Sequence, residues 1–231
     1  MNKDFALIKR LQKTDTFIFD FDGTVVDTNK LNFVTFKEPL ERITRIRISD
    51  EDFGKCFAGL PSKKSIPAFL GQAGVKSTKI IKQVIKEHKS LKKKLLETKP
   101  RAYLKLTPGV FGFLKRLKIK NKQVILATST RRTNVRRIFS IFNLRKFFDY
   151  IITIEDVKKP KPDPEVYLRA QELSGSKQNS SLVFEDSKNG ILAAQAAGLF
   201  CVGFSNGGFN ENDLQSADAI IDTFESIIEE V

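Results

Sequence analysis

The chain has 231 residues, of which 40 are Lys or Arg and 27 are Asp or Glu, giving a formal net charge of +13. This length allows one domain with an insert, or two small domains. No apolar run reaches the length of a membrane span, and the first ten residues lack the apolar core of a signal peptide. Two lone cysteines, Cys56 and Cys201, fit a reduced compartment rather than a disulfide framework. We therefore expect a cytoplasmic protein without membrane association.

The first strong element is a short apolar run that ends in two carboxylates. A brief amphipathic helix is predicted over residues 4–13, and the run from Thr16 to Asp20 then predicts a buried strand. Asp22 follows two residues later, and Gly23 gives the backbone the freedom to leave the strand sharply. If the strand belongs to an open α/β sheet, both acids lie at the carboxyl edge where such sheets bind ligands.

Residues 29–106 differ from the rest of the chain in composition and in period. Residues 30–107 hold 19 Lys or Arg and 7 Asp or Glu, whereas the remainder holds 21 and 20, so the basic excess lies in this segment. Apolar residues recur there at helical spacing, which predicts an all-helical insert of about four helices. Ser62 and Ser77 are predicted helix N-caps. The single histidine, His88, lies among lysines and is expected at the surface, so a Ser-His-Asp mechanism has little support.

Strands and helices alternate from Leu106 onward. A helix is expected after Thr107-Pro108-Gly109, and further helices over 131–142, 164–174, 191–197 and 223–230. Strands are predicted at 123–127, 150–153, 182–184, 201–204 and 219–221. This alternation predicts an α/β fold, a Rossmann-like and mostly parallel sheet covered on both faces, with the all-helical segment inserted. The expected domains are residues 1–28 with 107–231, and residues 29–106.

Three of the predicted strands end in polar side chains. They deliver Asp20 and Asp22, then Thr128, then Glu185 and Asp186. A parallel sheet brings all three strand ends to one edge, which then holds four carboxylates. Crowded carboxylates repel one another unless a cation is present, and a hard site of oxygen ligands suits Mg²⁺. The residues therefore predict an acidic metal site able to hold a phosphate.

Four stretches carry a resemblance to a known family. Residues 20–27, Asp-Phe-Asp-Gly-Thr-Val-Val-Asp, resemble motif I of the haloacid dehalogenase superfamily of phosphohydrolases. Residues 124–129, 158–167 and 183–190 resemble its motifs II, III and IV, in that order along the chain. The insert resembles the family's helical cap, which closes over the site, excludes water and selects the substrate.

The resemblance assigns a role to each catalytic position. Asp20 matches the nucleophile that forms an aspartyl-phosphate, and Asp22 matches the general acid and base. Thr128 matches the residue that hydrogen-bonds a phosphoryl oxygen. Lys161 matches the lysine that neutralises the phosphoryl group, although Lys159 also precedes a proline and stays an alternative.

The resemblance also implies a ligand set. Mg²⁺ would be held by Asp20, the backbone carbonyl of Asp22 and Asp186, with Glu185 binding through water or touching the substrate. Residues 59–64 lie where related caps offer a substrate-specificity loop, so Lys63 and Lys64 are candidates to bind a second anionic group of the substrate. The implied substrate-binding residues are Gly23, Thr24, Ser129, Lys63 and Lys64.

The function implied is a Mg²⁺-dependent phosphatase of the phosphoglycolate phosphatase type, a monomer or dimer acting on a small phosphorylated metabolite. Residues 217–224 look like the C-terminal end of that group. A phosphomutase resembling β-phosphoglucomutase is the alternative, although residues 27–32 lack the histidine often found there in sugar mutases. Nucleic-acid binding is a distant third reading and is not expected, because the aromatic residues of the basic segment are spaced for core packing rather than for base stacking.

Overall fold

A computed structural model describes residues 3–57, 61–205 and 211–231. Within these ranges the helices are α1 (Lys3–Lys13), α2 (Asn29–Thr44), α3 (Asp50–Cys56), α4 (Ser62–Gln72), α5 (Thr78–Thr98), α6 (Pro100–Tyr103), α7 (Val110–Ile119), α8 (Arg132–Phe142), α9 (Glu165–Ser174), α10 (Lys188–Ala196) and α11 (Glu211–Leu214). The strands are β1 (Thr16–Phe19), β2 (Val26–Asp27), β3 (Lys105–Leu106), β4 (Gln123–Ala127), β5 (Tyr150–Ile152), β6 (Ser181–Glu185), β7 (Phe200–Phe204) and β8 (Ala219–Ile221). Short 3-10 helices span Arg145–Phe147, Ile154–Asp156, Gln178–Ser180 and Phe224–Glu230.

Six of the strands form one sheet in the order β5-β4-β1-β6-β7-β8, and every neighbouring pair in it is parallel. β2 and β3 form a separate two-stranded sheet. Because parallel neighbours need crossover connections, helices cover such a sheet on its faces. The predicted fold class, an α/β core with a mostly parallel sheet and an inserted helical segment, is confirmed.

The central strand β1 is buried along its whole length and contributes side chains to a hydrophobic cluster on each face of the sheet. Successive side chains of a strand point to opposite faces, so Phe17 and Phe19 lie on one face and Ile18 on the other. The ring centroids of Phe19 and Phe184 are 5.0 Å apart, and this aromatic cluster also includes Phe113 and Phe224. Ile18 belongs to an aliphatic cluster that contains Ile125, Val183, Ile191 and Tyr167.

The chain divides into two compact units. The sheet unit consists of Met1–Asp27 and Leu106–Val231, and the helical unit of Thr28–Lys105. The helical unit has a core of its own, in which α5 packs against α2 and α4. Phe36 and Phe57 lie in that core with ring centroids 4.9 Å apart.

Several sequence-based expectations need correction. The described part of the helical unit contains five helices rather than about four, because the short α6 was not foreseen. The N-cap of α4 is Pro61, so Ser62 is the first helical residue, whereas Ser77 caps α5 as predicted. The predicted helix at the end of the chain is a 3-10 helix.

His88 is also not where the sequence suggested. Its side chain is only 5% exposed, and its ring stacks on Phe36 with centroids 4.2 Å apart. Nδ1 lies 3.1 Å from the carbonyl oxygen of Thr35, so the neutral ring donates its proton there. Burial, helped by the positive charge of Lys92, lowers the pKa of His88 to about 4. The expectation of a surface histidine was therefore wrong.

Two further expectations concern single features of the chain. Cys56 and Cys201 are both free thiols, in keeping with the predicted lack of a disulfide framework. In the part of the chain that is described, none of the helices combines the length and the apolar character that a bilayer crossing requires.

Candidate active site

Three parallel strands deliver the site residues to one edge of the sheet. Asp20 directly follows β1, and its backbone amide donates to the carbonyl of Phe184 on β6 at 2.9 Å. Thr128 directly follows β4, and its amide donates to the carbonyl of Ile152 at 3.0 Å. Both side chains are buried. The backbone ladders therefore extend one residue past the strands and fix where these two side chains begin.

A buried lysine joins two of the acids. Nζ of Lys161 lies 2.6 Å from Oδ1 of Asp20 and 2.6 Å from Oε1 of Glu185, and it also donates to the carbonyl of Ala127 at 3.0 Å. The other candidate, Lys159, has a side chain that is 74% exposed and pairs with Asp163 at 3.7 Å. Lys161 is therefore the lysine of the carboxylate cluster.

Glu185 is fully buried and has its hydrogen-bonding capacity filled by the protein. Oε1 accepts from Lys161 and from the hydroxyl of Tyr167 at 2.8 Å. Oε2 accepts from the amides of Asp186 and Ser187 and from the Ser187 hydroxyl, at 3.0 to 3.1 Å. A side chain at Gly190 would put its Cβ only 1.8 Å from this carboxylate, so the glycine makes room for it. Glu185 therefore acts as a fixed anchor for Lys161.

Asp22 lies in the turn that follows β1. Gly23 has φ of +88° and donates its amide to the carbonyl of Val26 at 2.8 Å, a left-handed conformation that favours glycine. The carboxylate of Asp22 accepts a hydrogen bond from the hydroxyl of Thr130. This bond ties the turn after β1 to the loop after β4.

Burial and crowding change the acidity of the cluster. Burial raises the pKa of Asp20 to about 7; the charges of Glu185 and Asp22 add to the rise, and Lys161 opposes it. Burial, with the charges of Glu185 and Asp20, also raises the pKa of Asp186 well above its ordinary value. Burial lowers the pKa of Lys161, but Asp20 and Glu185 outweigh it, so the net shift is upward. The site thus has one firmly held cation and more negative charge than that cation balances.

The acids fit a divalent metal ion. Asp20, Glu185 and Asp186 each offer a carboxylate oxygen, and these oxygens all lie within 4.8 Å of one another. A set made only of carboxylate oxygens suits a hard cation such as Mg²⁺. Because the oxygens of Glu185 already accept bonds from the protein, Asp20 and Asp186 are the residues best able to bind the ion directly.

The predicted residues separate into three groups. Asp20, Thr128, Lys161, Glu185 and Asp186 come from strand ends or the loop beside them, and the hydroxyl of Thr24 lies 3.4 Å from Asp186. Ser129 is exposed in the loop after β4. Lys63 and Lys64 are exposed on the first turn of α4 in the helical unit, and Gly59 and Leu60 of the predicted specificity loop lie outside the described residues. The substrate contacts assigned to Lys63 and Lys64 stay predictions.

Sequence reasoning did not foresee two contacts. Tyr167 is the last residue of the stretch that resembles motif III, and its hydroxyl donates to Glu185 and anchors it. The bond from Thr130 to Asp22 joins residues 108 positions apart, and no local pattern signals it. The one hint in the sequence was that the aromatic residue six positions after Lys161 is a tyrosine, which carries a hydroxyl.

Comparison with known proteins decides the family. The family model described as "Haloacid dehalogenase-like hydrolase" matches residues 17–204. The chain belongs to the haloacid dehalogenase-like hydrolases. The predictions of this family and of an enzyme of its type are therefore confirmed.

Relatives of this haloacid dehalogenase-like hydrolase match it over most of their length. It is 31% identical to a phosphorylated carbohydrates phosphatase of Thermotoga maritima over 188 residues, 80% of this chain and 82% of that protein. It is 30% identical to the β-phosphoglucomutase of Bacillus subtilis over 192 residues, 82% and 83% of the two chains. The crystal structure of a predicted phosphoglycolate phosphatase from Haemophilus somnus shares the fold, with a TM-score of 0.81 at 22% identity, covering 94% of this chain and 97% of that one.

Proposed function

We propose that the protein is a Mg²⁺-dependent phosphatase that hydrolyses a small phosphorylated metabolite through an aspartyl-phosphate. The observation that carries this proposal is the buried Lys161, which bridges Asp20 and Glu185 at 2.6 Å each while Asp186 lies within 4.8 Å of the same acids. The similarity to the Thermotoga maritima phosphatase supports a phosphorylated carbohydrate as substrate class.

In this proposal Asp20 is the nucleophile. One of its oxygens attacks phosphorus, the P–O bond to the leaving group breaks, and the aspartyl-phosphate forms. Lys161 fixes Oδ1 of Asp20, so the carboxylate is held in one orientation before the substrate arrives. The same ammonium offsets charge on the transferred phosphoryl group, with Thr128 donating a hydrogen bond to one of its oxygens.

Asp22 moves the proton in both halves of the proposed reaction. It gives a proton to the oxygen that leaves, and it then takes one from the water that attacks the aspartyl-phosphate, which releases phosphate and restores Asp20. Thr130 donates to Asp22 from the neighbouring loop and so orients it. Asp20 and Asp186 would hold Mg²⁺, which would supply positive charge to offset that of the phosphoryl oxygens.

A phosphomutase is the second candidate function. The similarity to the Bacillus subtilis β-phosphoglucomutase, at 30% identity, is almost as high as that to the phosphatase. In a mutase the aspartyl-phosphate passes its phosphoryl group to a sugar hydroxyl instead of to water. Conversion of glucose 1-phosphate in the presence of a bisphosphate primer, with no net release of phosphate, would favour this candidate.

One screen tests the proposal. Phosphate release is measured from sugar phosphates, nucleotides, phosphoglycolate and pyrophosphate, with Mg²⁺ and with EDTA. We expect metal-stimulated turnover of at least one phosphomonoester, and a radiolabelled acyl phosphate that accumulates on the protein and is cleaved by hydroxylamine. Asp20→Asn should abolish both signals, and the exposed Asp15→Asn should abolish neither. Full activity of the Asp20→Asn variant would refute the nucleophile, and no turnover of any substrate would refute the phosphatase.

A further inference from the structure

Helix α5 displays a row of lysines along one side. Lys79, Lys82, Lys86, Lys89 and Lys93 recur at intervals of three and four residues, and all five are exposed; we call them the lysine ladder. This spacing keeps all five on one narrow face of a helix. At 1.5 Å per residue the ladder is about 21 Å long.

The opposite side of α5 packs into the core of the helical unit. Val84, His88 and Leu96 are buried, and Ile80, Ile81 and Ile85 pack against the same core. The helix therefore has a fixed orientation, with the ladder facing solvent. Its one acid before Lys94 is Glu87, which pairs with Arg42 of α2 away from the ladder.

The exposed positions of α5 between Thr78 and Lys94 carry no negative charge, and the partly exposed Glu87 pairs with Arg42. Between Thr78 and Lys94 the exposed residues are all lysine, apart from Thr78, Gln83 and Ser90. Among the ion pairs between described residues, none includes Lys79, Lys82, Lys86 or Lys93. Like charges three or four residues apart destabilise a helix, so repulsion within this row lowers the stability of α5. An anionic partner would offset that repulsion.

We propose that the lysine ladder binds the phosphodiester backbone of a nucleic acid. A duplex carries one phosphate per about 1.7 Å of axis over its two strands, so a segment as long as the ladder holds more phosphates than the ladder has lysines, and the ladder would contact those on the side that faces it. Binding of a backbone needs positive charge in a row and does not need exposed aromatic rings. The spacing of the aromatic residues, which argued against base stacking, therefore does not argue against this contact.

An anionic membrane fits the ladder less well. A helix that lies in a membrane interface inserts an apolar face among the lipids and keeps its lysines on the polar face. The apolar face of α5 is buried in its own unit, and the exposed residues beside the ladder are Gln83 and Ser90. Such a surface can attract lipids only through charge and has no apolar side chains to insert among them. For a polynucleotide, a row of positive charges is sufficient.

The test uses the full chain and two matched variants. The ladder variant is Lys79→Gln, Lys82→Gln, Lys86→Gln and Lys93→Gln. The control variant is Lys9→Gln, Lys13→Gln, Lys115→Gln and Lys120→Gln, which removes four exposed lysines of the sheet unit and leaves the same net charge. Gln and Lys have similar helix propensity, so α5 should form in both. A thermal melt of the ladder variant no lower than that of the unmodified protein would verify folding.

Fluorescence anisotropy then follows a random 30-base-pair DNA duplex and a single-stranded RNA of mixed sequence. For four to five neutralised phosphates we expect log K to fall with log salt at a slope of about −4, so affinity should fall about 250-fold between 0.05 and 0.2 M. The ladder variant should bind at least about tenfold more weakly with a slope near −1, and the control variant should stay within about twofold of the unmodified protein. Preference between the two probes would identify the form of nucleic acid.

Three results would overturn the proposal. They are no binding of either probe at 0.05 M salt, equal losses in the ladder and control variants, and binding to vesicles containing phosphatidylserine without binding to either nucleic acid. Phosphate release by the ladder variant should equal that of the unmodified protein, because none of the four lysines belongs to the carboxylate site. A failure of nucleic-acid binding would therefore leave the proposed phosphatase activity untouched, and the reverse also holds.

Discussion

The two compact units place their charges in opposite ways. The sheet unit is nearly neutral in composition, yet it buries the ammonium of Lys161 and the carboxylates of Asp20 and Glu185 at one sheet edge. The helical unit is strongly basic, yet most of its lysines face solvent and its core is aromatic and aliphatic. A buried charge needs a partner and specific geometry, whereas an exposed charge costs little. The candidate active site therefore lies where charge is buried, whereas most of the net charge of +13 comes from the basic residues of the helical unit.

The largest effect should come from removing the buried cation. Lys161→Met leaves Asp20 and Glu185 buried without a counter-charge, so we expect a loss of about 3–5 kcal/mol in unfolding free energy at pH 8 without metal. The loss of charge stabilisation at the phosphoryl group should also lower kcat by about 10²–10³-fold. Urea unfolding and phosphate release measure the two effects. Lys159→Met, at an exposed position, is the control; an equal loss there would contradict the assignment.

The two units should also respond to pH in opposite directions. Asp20 has a folded-state pKa of about 7, above its unfolded value, so its protonated form favours the folded state and stability should fall as pH rises from about 4 to 7. His88 has a folded-state pKa of about 4, below its unfolded value, so stability should fall as pH drops from about 6.5 to 4. Each effect should reach a few kcal/mol.

Amide exchange of the metal-free protein, followed separately in β1 and α5, measures these pH effects. Asp20→Asn should flatten the pH dependence in β1, and His88→Asn should flatten it in α5. Because Mg²⁺ favours ionised carboxylates, its addition should reduce the loss of protection in β1 above pH 6. Parallel pH profiles in the two units would contradict the contrast between them.

A smaller effect is expected from the anchor behind the lysine. Tyr167→Phe removes one hydrogen bond to the buried carboxylate of Glu185, which should cost about 1.5–3 kcal/mol of stability. Lys161 should then be held less firmly, so kcat should fall while KM changes little. Tyr150→Phe, at a partly exposed ring in β5, is the matched control and should change neither quantity. A change confined to KM would mean that Tyr167 contacts the substrate instead.

The smallest effect should come from an exposed lysine of the helical unit. Lys86→Gln removes one charge from the lysine ladder, and we expect stability to change by less than about 0.5 kcal/mol, with phosphate release unaltered. Urea unfolding of this variant beside Lys161→Met compares the loss of one lysine from each unit. Similar losses in the two variants would remove the distinction between buried and exposed charge.

Much of the sheet could be predicted because its signals are local. The apolar run at Thr16–Phe19 and the turn residues Asp22 and Gly23 lie within a few positions of one another, and the strand ends meet because the pairing is parallel. The role of Lys161 was predicted from its place in motif III. Only the folded loop distinguishes it from Lys159, because Lys161 is buried against Asp20 whereas Lys159 is exposed.

The errors arose where neighbours in sequence are not neighbours in space. His88 lies in a lysine-rich stretch of the sequence, and this suggested an exposed side chain. Its spacing of four residues from Val84 puts it on the buried face of α5, and this periodic signal was the better guide. The bond from Thr130 to Asp22 depends on the pairing of β1 with β4, so no short window of sequence contains it.

The central position of β1 has a consequence for how the chain acquires its structure. Thr16 pairs with Gln123 on one side and Ser181 on the other, so β1 leaves the ribosome well before either of its partner strands has been made. The helical unit, in contrast, is one uninterrupted stretch, Thr28–Lys105, whose synthesis is complete before either partner strand exists. Non-local pairing of this kind is slow, and it exposes an apolar strand in the meantime. Nascent chains halted before residue 123 should therefore be the forms most dependent on chaperones.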